Sequence, residues 1–389
     1  MPNTSEVKPL DHLTVIDMTV NVPGPFCSTI LSDLGARVVK VEPPTGDPLR
    51  QSPGMWSGIN RGKRSIALDL KTGGGRDVLH RLATGADVVL EGWRPGVAQR
   101  LGADYETLSA SKPGLVYCAI SGFGQEGPWA DRPAHDVDFL ALSGYLDAQQ
   151  IEGKPHAPPV LISDLVSGLY AAVAVLAALV GRSKTGRGVM IDLSMADSTL
   201  SLLAPEVGRV GTGEADGKPN VTFIPHYGVF QCADEKWFSL GIVDEDHFWR
   251  RFCAAAGLSD LADLTYAERV GRGAPITEAV RDAFTARPAA EWETLLRDTD
   301  VPAAPVTALA DLFDSPQFQV RGMFPEIGES RFLAQPFRIS GEPVELTEGP
   351  PEPGEHTSAL LRELGYGVEQ VDELRRSGAL GTAQTGTPR

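Results

Sequence analysis

Short apolar runs alternate with longer amphipathic stretches along the first half of the chain. Residues 13–18 (LTVIDM) predict a buried strand, because the run is short and apolar with β-branched members. Gly24 and Pro25 then predict a helix through Leu34, with proline suited to the first turn and Gly35 to the stop. Residues 37–41 and 65–70 predict further strands, the second leading into a helix whose apolar positions are Val78, Leu79 and Leu82. Residues 87–91 (DVVLE) and 115–121 continue the rhythm, 164–180 form the clearest helical pattern, and 188–194 return to strand. This alternation predicts an α/β fold, with a parallel or mixed sheet flanked by helices.

The pattern changes after a Gly/Asp/Pro-rich linker at 212–220. Residues 227–232 and 237–240 predict a hairpin, and short helices follow near 248–256, 276–286 and 289–297. The expected organisation is a large domain of Rossmann-like α/β units over 1–221 and a smaller α+β domain over 222–325. A C-terminal segment over 326–380 and a disordered tail over 381–389 complete it, with 349–354 (GPPEPG) as a stiff linker.

Composition narrows the class. The chain has 389 residues, 42% of them hydrophobic and 22% charged, which suits a globular protein of two domains or of one large domain with an excursion. A net charge of −16 argues against nucleic acid as a partner, although a local basic patch can still hold one small anion. Cys27, Cys118, Cys232 and Cys253 are scattered without a CxxC pair and are expected to be reduced thiols of a cytoplasmic protein. The longest apolar run, 169–180, is shorter than the roughly 18 residues of a membrane span, and residues 1–13 show no signal pattern. The expectation is a soluble, intracellular chain without a membrane partner.

Four places could carry chemistry. The loop at 121–127 (SGFGQEG) follows a strand but fits neither phosphate-binding fingerprint, and an ordinary loop describes it better. His135 shares a predicted helix face with Phe139 and Leu142, where burial and the helix end would keep it neutral; a satisfied core or capping histidine fits the same position. Asp164 precedes the 165–180 helix, where capping explains it, unless it also faces a pocket as base or nucleophile. The acidic run at 244–247 (DEDH) is expected to be a solvated turn opening a helix.

Together these segments resemble the CaiB/BaiF-type family III CoA-transferases, a fold that also contains the α-methylacyl-CoA racemases. The carrying residues are 22–25 (VPGP), 34–43 (LGARVVKVEP), Gly46-Asp47, 61–71 (RGKRSIALDLK) and 87–96 (DVVLEGWRPG). Further ones are 121–124 (SGFG), 163–168 (SDLVSG), 185–188 (TGRG), 354–357 (GEHT) and 364–366 (LGY), in order across nearly the whole chain. The resemblance implies two subunits interlocked as rings into a homodimer, acting on acyl-CoA or free CoA with no cofactor beyond the coenzyme A of the substrate. It implies CoA contacts at Val22, Pro23, Leu68, Asp69, Leu70, Lys71, Gly92, Trp93, Arg94 and Arg100. Lys71, Arg94 and Arg100 would be the cationic patch, and Lys40 could replace a family arginine absent at Pro43.

Within the resemblance, Asp164 is either the nucleophile of a transferase or an acid/base group of a racemase. His135 falls where racemases carry a histidine, in a His-Asp-x-Asn-Tyr-x-x-Leu-like stretch 29 residues before Asp164. A small-domain carboxylate, Asp244 or Glu245, would support it. The expected activity is therefore an acyl-CoA racemase or epimerase inverting the α-carbon of a 2-methyl-branched or related acyl group. The alternative is CoA transfer between carboxylic acids through Asp164, and a non-catalytic CoA-binding protein is the third reading. Two departures are that 217–226 lacks the racemase Asn-Met-Leu-Asp-Gly-Gly-Ala-Pro segment, and that the residues after Asp164 are transferase-like.

Overall fold

Six apolar stretches pair as parallel strands: β1 (Thr14–Asp17), β2 (Arg37–Glu42), β3 (Lys63–Ala67), β4 (Val88–Glu91), β5 (Val116–Ser121) and β6 (Met190–Ser194). The sheet order is β3-β2-β1-β4-β5-β6, parallel throughout. Strands in such a sheet are covered on both faces, which explains why they read as continuous apolar runs rather than as alternation. The computed structural model describes residues 8–151, 153–214 and 224–381.

One face is covered by the Gly73–Thr84 helix, which buries Val78, Leu79 and Leu82, and by the Thr357–Glu363 and Val368–Arg376 helices through Leu360, Leu361 and Leu374. The other is covered by the Pro23–Asp33 and Ile162–Thr185 helices through Ile30, Leu31, Ala171, Ala172 and Val175. Those two helices pack closely because Gly168 faces Pro23, where an added Cβ would lie 2.5 Å from the Pro23 carbonyl oxygen.

The chain divides into two compact units, Met1–Leu203 with Pro316–Arg389, and Ala204–Ser315. The C-terminal stretch thus returns to the first unit, and the second begins and ends earlier than the 222–325 read from composition. In the second unit the strands Gly228–Gln231 and Trp237–Leu240 form the expected hairpin, joined on its Trp237 side by Ala303–Pro305. Trp249, Phe252, Phe284 and Trp292 from the surrounding helices fill its core.

Several expectations change. Residues 349–354, expected as a stiff linker, are a segment docked on the first unit. Gly62 donates to the Glu348 and Gly349 carbonyls (3.1 and 3.2 Å), Arg50 Nη1 to the Pro351 carbonyl (3.0 Å) and the Gly354 amide to Ser65 Oγ (2.8 Å). Gly381, expected in the tail, donates to the Ala67 carbonyl (3.1 Å), while 382–389 lie outside the described residues. So do 215–220 of the predicted linker and most of the departing 217–226 segment. The Ile162–Thr185 helix is long and apolar enough to cross a membrane by length and composition, because it continues on both sides of the 169–180 run. It nevertheless carries Asp164 and two basic residues, and it buries Ser163, Ser167, Gly168 and Ala171 against its own unit.

Candidate active site

Numbered along the sheet, the strand order descends to β1 and then ascends from β4, so the connections leave on opposite sides there. A crevice opens at the carboxyl ends of strands at such a switch point. It is occupied here by a cavity of about 400 Å³, of the size of a small-molecule site. Its wall includes Thr19, Val22 and Pro23 after β1, Gly92, Trp93 and Arg94 after β4, Ser121 and Gly122 at and after the end of β5, His135 just before a flanking helix, and Phe139 and Asp164 from the flanking helices. Five of the expected CoA positions and both expected acid/base residues therefore meet in one cavity.

The post-β1 loop rests on a buried charge cluster. Asp17 accepts from the Thr19 amide (3.0 Å) and hydroxyl (2.5 Å), from Ser28 Oγ (2.5 Å) and from Lys63 Nζ (3.3 Å). Burial alone would raise its pKa, but Lys40, Lys63 and the two hydroxyl donors outweigh burial and hold the carboxyl well below its ordinary range. Lys40 is wholly buried, donating to the Thr19 carbonyl (2.8 Å) and paired with Asp47 (3.1 Å), so it is not available to a phosphate. Its position on inward-facing β2 removed it from the surface. Gly24 completes the loop, since a Cβ there would fall 2.2 Å from the Thr19 side chain. After β4, the buried Glu91 carboxylate accepts from the Trp93 amide (2.7 Å), and burial pushes Glu91 up to about 7.

His135 is the residue before the Asp136–Leu142 helix, with extended backbone, and its amide donates to Asp138 Oδ2 (2.9 Å). Helical spacing does not extend to a residue outside the helix. The buried face is accordingly Asp136, Phe139 and Leu140, and His135 is exposed on the cavity wall rather than buried with Leu142. Asp164 also departs from expectation. The helix begins at Ile162, so Asp164 lies inside its first turn and does not cap it. Asp136 does: Oδ1 accepts the Asp164 amide (3.1 Å), and the carboxylate also accepts from Ser163. The Asp164 carboxylate is left free to face the cavity. Burial, then the nearby Asp136 charge, raise it to about 6, with His135 pulling the other way.

Asp136 was present in the His-Asp pattern but was not singled out. The missed signal was an acid next to the candidate histidine at a helix start, where a carboxylate can serve free amides of a neighbouring helix.

The remaining positions fall along the same carboxyl edge of the sheet, outside the cavity lining. Leu68 pairs with Leu380, the Asp69 amide donates to the Ala379 carbonyl (2.9 Å), and the Lys71 amide donates to Asp69 Oδ1 (3.0 Å). Leu70 is buried beside them. Lys71, Arg94 and Arg100 are all exposed, three cations beyond the ends of adjoining parts of the sheet. In the loop at 121–127 the Gln125 amide is taken by the Asp192 carboxylate (3.0 and 3.2 Å). In the second unit, Asp244 is exposed and Glu245 Oε2 accepts the Val243 amide (2.9 Å), forming the expected turn before the Asp246–Ala256 helix.

The family model described as CoA-transferase family III matches residues 10–357. The acetyl-CoA:oxalate CoA-transferase of Acetobacter aceti is 34% identical, with 94% of this chain and 98% of that protein covered. The human alpha-methylacyl-CoA racemase is 31% identical, with 94% and 96% covered. The crystal structure of a CAIB/BAIF family protein from Brucella suis superposes with a TM-score of 0.84 at 31% identity, covering 92% of this chain and all (100%) of that one.

Proposed function

The chain belongs to CoA-transferase family III, enzymes of coenzyme A thioesters, and from that membership we propose that it is an acyl-CoA racemase or epimerase acting by proton transfer at the α-carbon. The observation that carries the reading is the meeting of His135 and Asp164 in one cavity, with Asp164 raised to about 6. A carboxyl with that affinity for protons exchanges them near neutral pH, as general acid–base catalysis requires. Each residue is the base in one direction and the acid in the other. The proton leaves one face of the α-carbon, its electron pair passes to the thioester oxygen, and a proton returns on the opposite face.

Within the proposal, Val22, Pro23, Gly92 and Trp93 hold the thioester arm. Lys71, Arg94 and Arg100 hold the CoA phosphates and Leu68, Asp69 and Leu70 contact coenzyme A beside them, so that coenzyme A enters as substrate and no other cofactor takes part. The interlocked homodimer, a cytoplasmic location and a supporting role for Asp244 or Glu245 belong to the same proposal. CoA transfer is the second reading, supported by relatives such as the oxalate CoA-transferase. In it the Asp164 carboxylate attacks the thioester carbonyl and expels CoA thiolate to form a mixed anhydride. The thiolate then attacks the Asp164 carbonyl, releasing the donor acid as carboxylate and leaving an aspartyl-CoA thioester that the acceptor acid takes over in the reverse sequence.

Deuterium incorporation into 2-methylacyl-CoA in heavy water, with no acceptor acid, tests the choice. The expected result is exchange that is lost in both His135→Ala and Asp164→Ala. No exchange across a panel of thioesters, together with hydroxylamine trapping of Asp164 once a free acid is added, would replace the racemase reading by transfer.

A further inference from the structure

β5 ends at Ser121, whose side chain is 4% exposed and forms part of the cavity wall. Its Oγ is buried and has no hydrogen-bond partner among the described residues. Every other buried serine or threonine has one: Thr19 and Ser28 bond to Asp17, Ser65 to Glu42, Ser163 to Thr199, and the rest to backbone groups. An unbonded buried hydroxyl is unfavourable, and proteins satisfy nearly all of them. The single exception lies on the wall of the cavity that holds Asp164 and His135.

We propose that the Ser121 hydroxyl is a substrate-contacting group that donates a hydrogen bond to the thioester oxygen. No hydrogen bond among the described residues holds Oγ in its present position, so turning it about the Cα–Cβ bond toward a substrate breaks none. The alternative wall hydroxyl, Thr19, is committed to Asp17 at 2.5 Å. Beside Ser121, Gly122 brings the backbone so close to Phe139 that an added Cβ would be 3.1 Å from its ring, and Met195 adjoins the same wall. These apolar neighbours suit an acyl chain, and Ser121 and Asp164 line the same cavity. When the α-proton leaves, negative charge develops on the thioester oxygen, where a preorganised donor away from bulk water is most effective. The inference rests on reading the cavity as a thioester site and extends it by one named donor.

Ser121→Ala tests it with three measurements. The melting temperature should be unchanged or higher, because an unsatisfied hydroxyl has been removed. The kcat of α-proton exchange should fall about 10²-fold, while KM moves less than about threefold. The nitronate of a nitroalkyl thioether of CoA, an enolate mimic, should bind at least about tenfold less tightly relative to free CoA. A lower melting temperature with exchange intact would overturn the proposal and make Ser121 structural. Should the wild type exchange no α-proton, the racemase reading fails by itself and the nitronate-to-CoA affinity ratio decides alone. A tenfold loss in the variant supports the donor for any thioester chemistry, and an unchanged ratio removes it.

Discussion

Ionised Asp164 opposes folding, and replacing it should stabilise the protein. In the unfolded chain this carboxyl titrates at 3.8, whereas burial and Asp136 raise it to about 6 in the folded one. Between those values the folded state holds a proton that the unfolded state has lost. Stability contributed by the group is therefore complete below 3.8, declines as pH rises, and has gone above about 6. The displacement corresponds to about 3 kcal/mol at pH 7–8 and roughly half of that at pH 5. Asp164→Asn removes the charge, keeps the shape and retains the backbone amide that Asp136 accepts. The variant should be inactive in exchange, and more stable than the wild type by up to about 3 kcal/mol at pH 8. That gap should narrow by about half at pH 5. Paired urea titrations at the two pH values measure it. Equal stability at pH 8, or a gap that ignores pH, would refute the account of a desolvated carboxylate facing the cavity.

Three further outcomes follow from other contacts. Asp136→Asn removes the second cause of the Asp164 displacement but leaves burial, the first, so the acidic limb of the rate–pH profile should move below 6 while staying above 3.8; a fixed limb would show that the two carboxylates do not interact. Asp17→Asn leaves Lys63 and Lys40 short of a buried counter-charge and should destabilise the protein by about 3–5 kcal/mol in urea, with the idea sunk by a loss below about 1 kcal/mol. Lys71→Ala, Arg94→Ala and Arg100→Ala should each weaken CoA binding about tenfold in titration calorimetry at low salt, and less at high salt, while far-UV circular dichroism stays unchanged; affinity indifferent to all three would move the phosphates elsewhere.

Local chemistry was legible along the chain. Strand positions followed from short apolar runs, and Gly35, with φ of 103°, stops the Pro23–Asp33 helix as a residue without Cβ should. Order along the chain was enough to bring the post-β1 and post-β4 motifs to one edge, because parallel strands joined by helices all end on the same side. Where the reading failed, the deciding partner was distant in sequence. His135 and Asp164 were recognisable as residue types, but the role of Asp164 depends on a carboxylate 28 residues earlier capping its helix and leaving its own oxygens free. Lys40 could replace a missing phosphate contact by residue type, but β2 turns it toward Asp17 and Asp47. The unsatisfied Ser121 hydroxyl is a property of everything packed around it. Periodicity reports which way a side chain points from its own element. Charge state and hydrogen-bond satisfaction are sums over neighbours from other elements, and only the tertiary structure decides which neighbours those are.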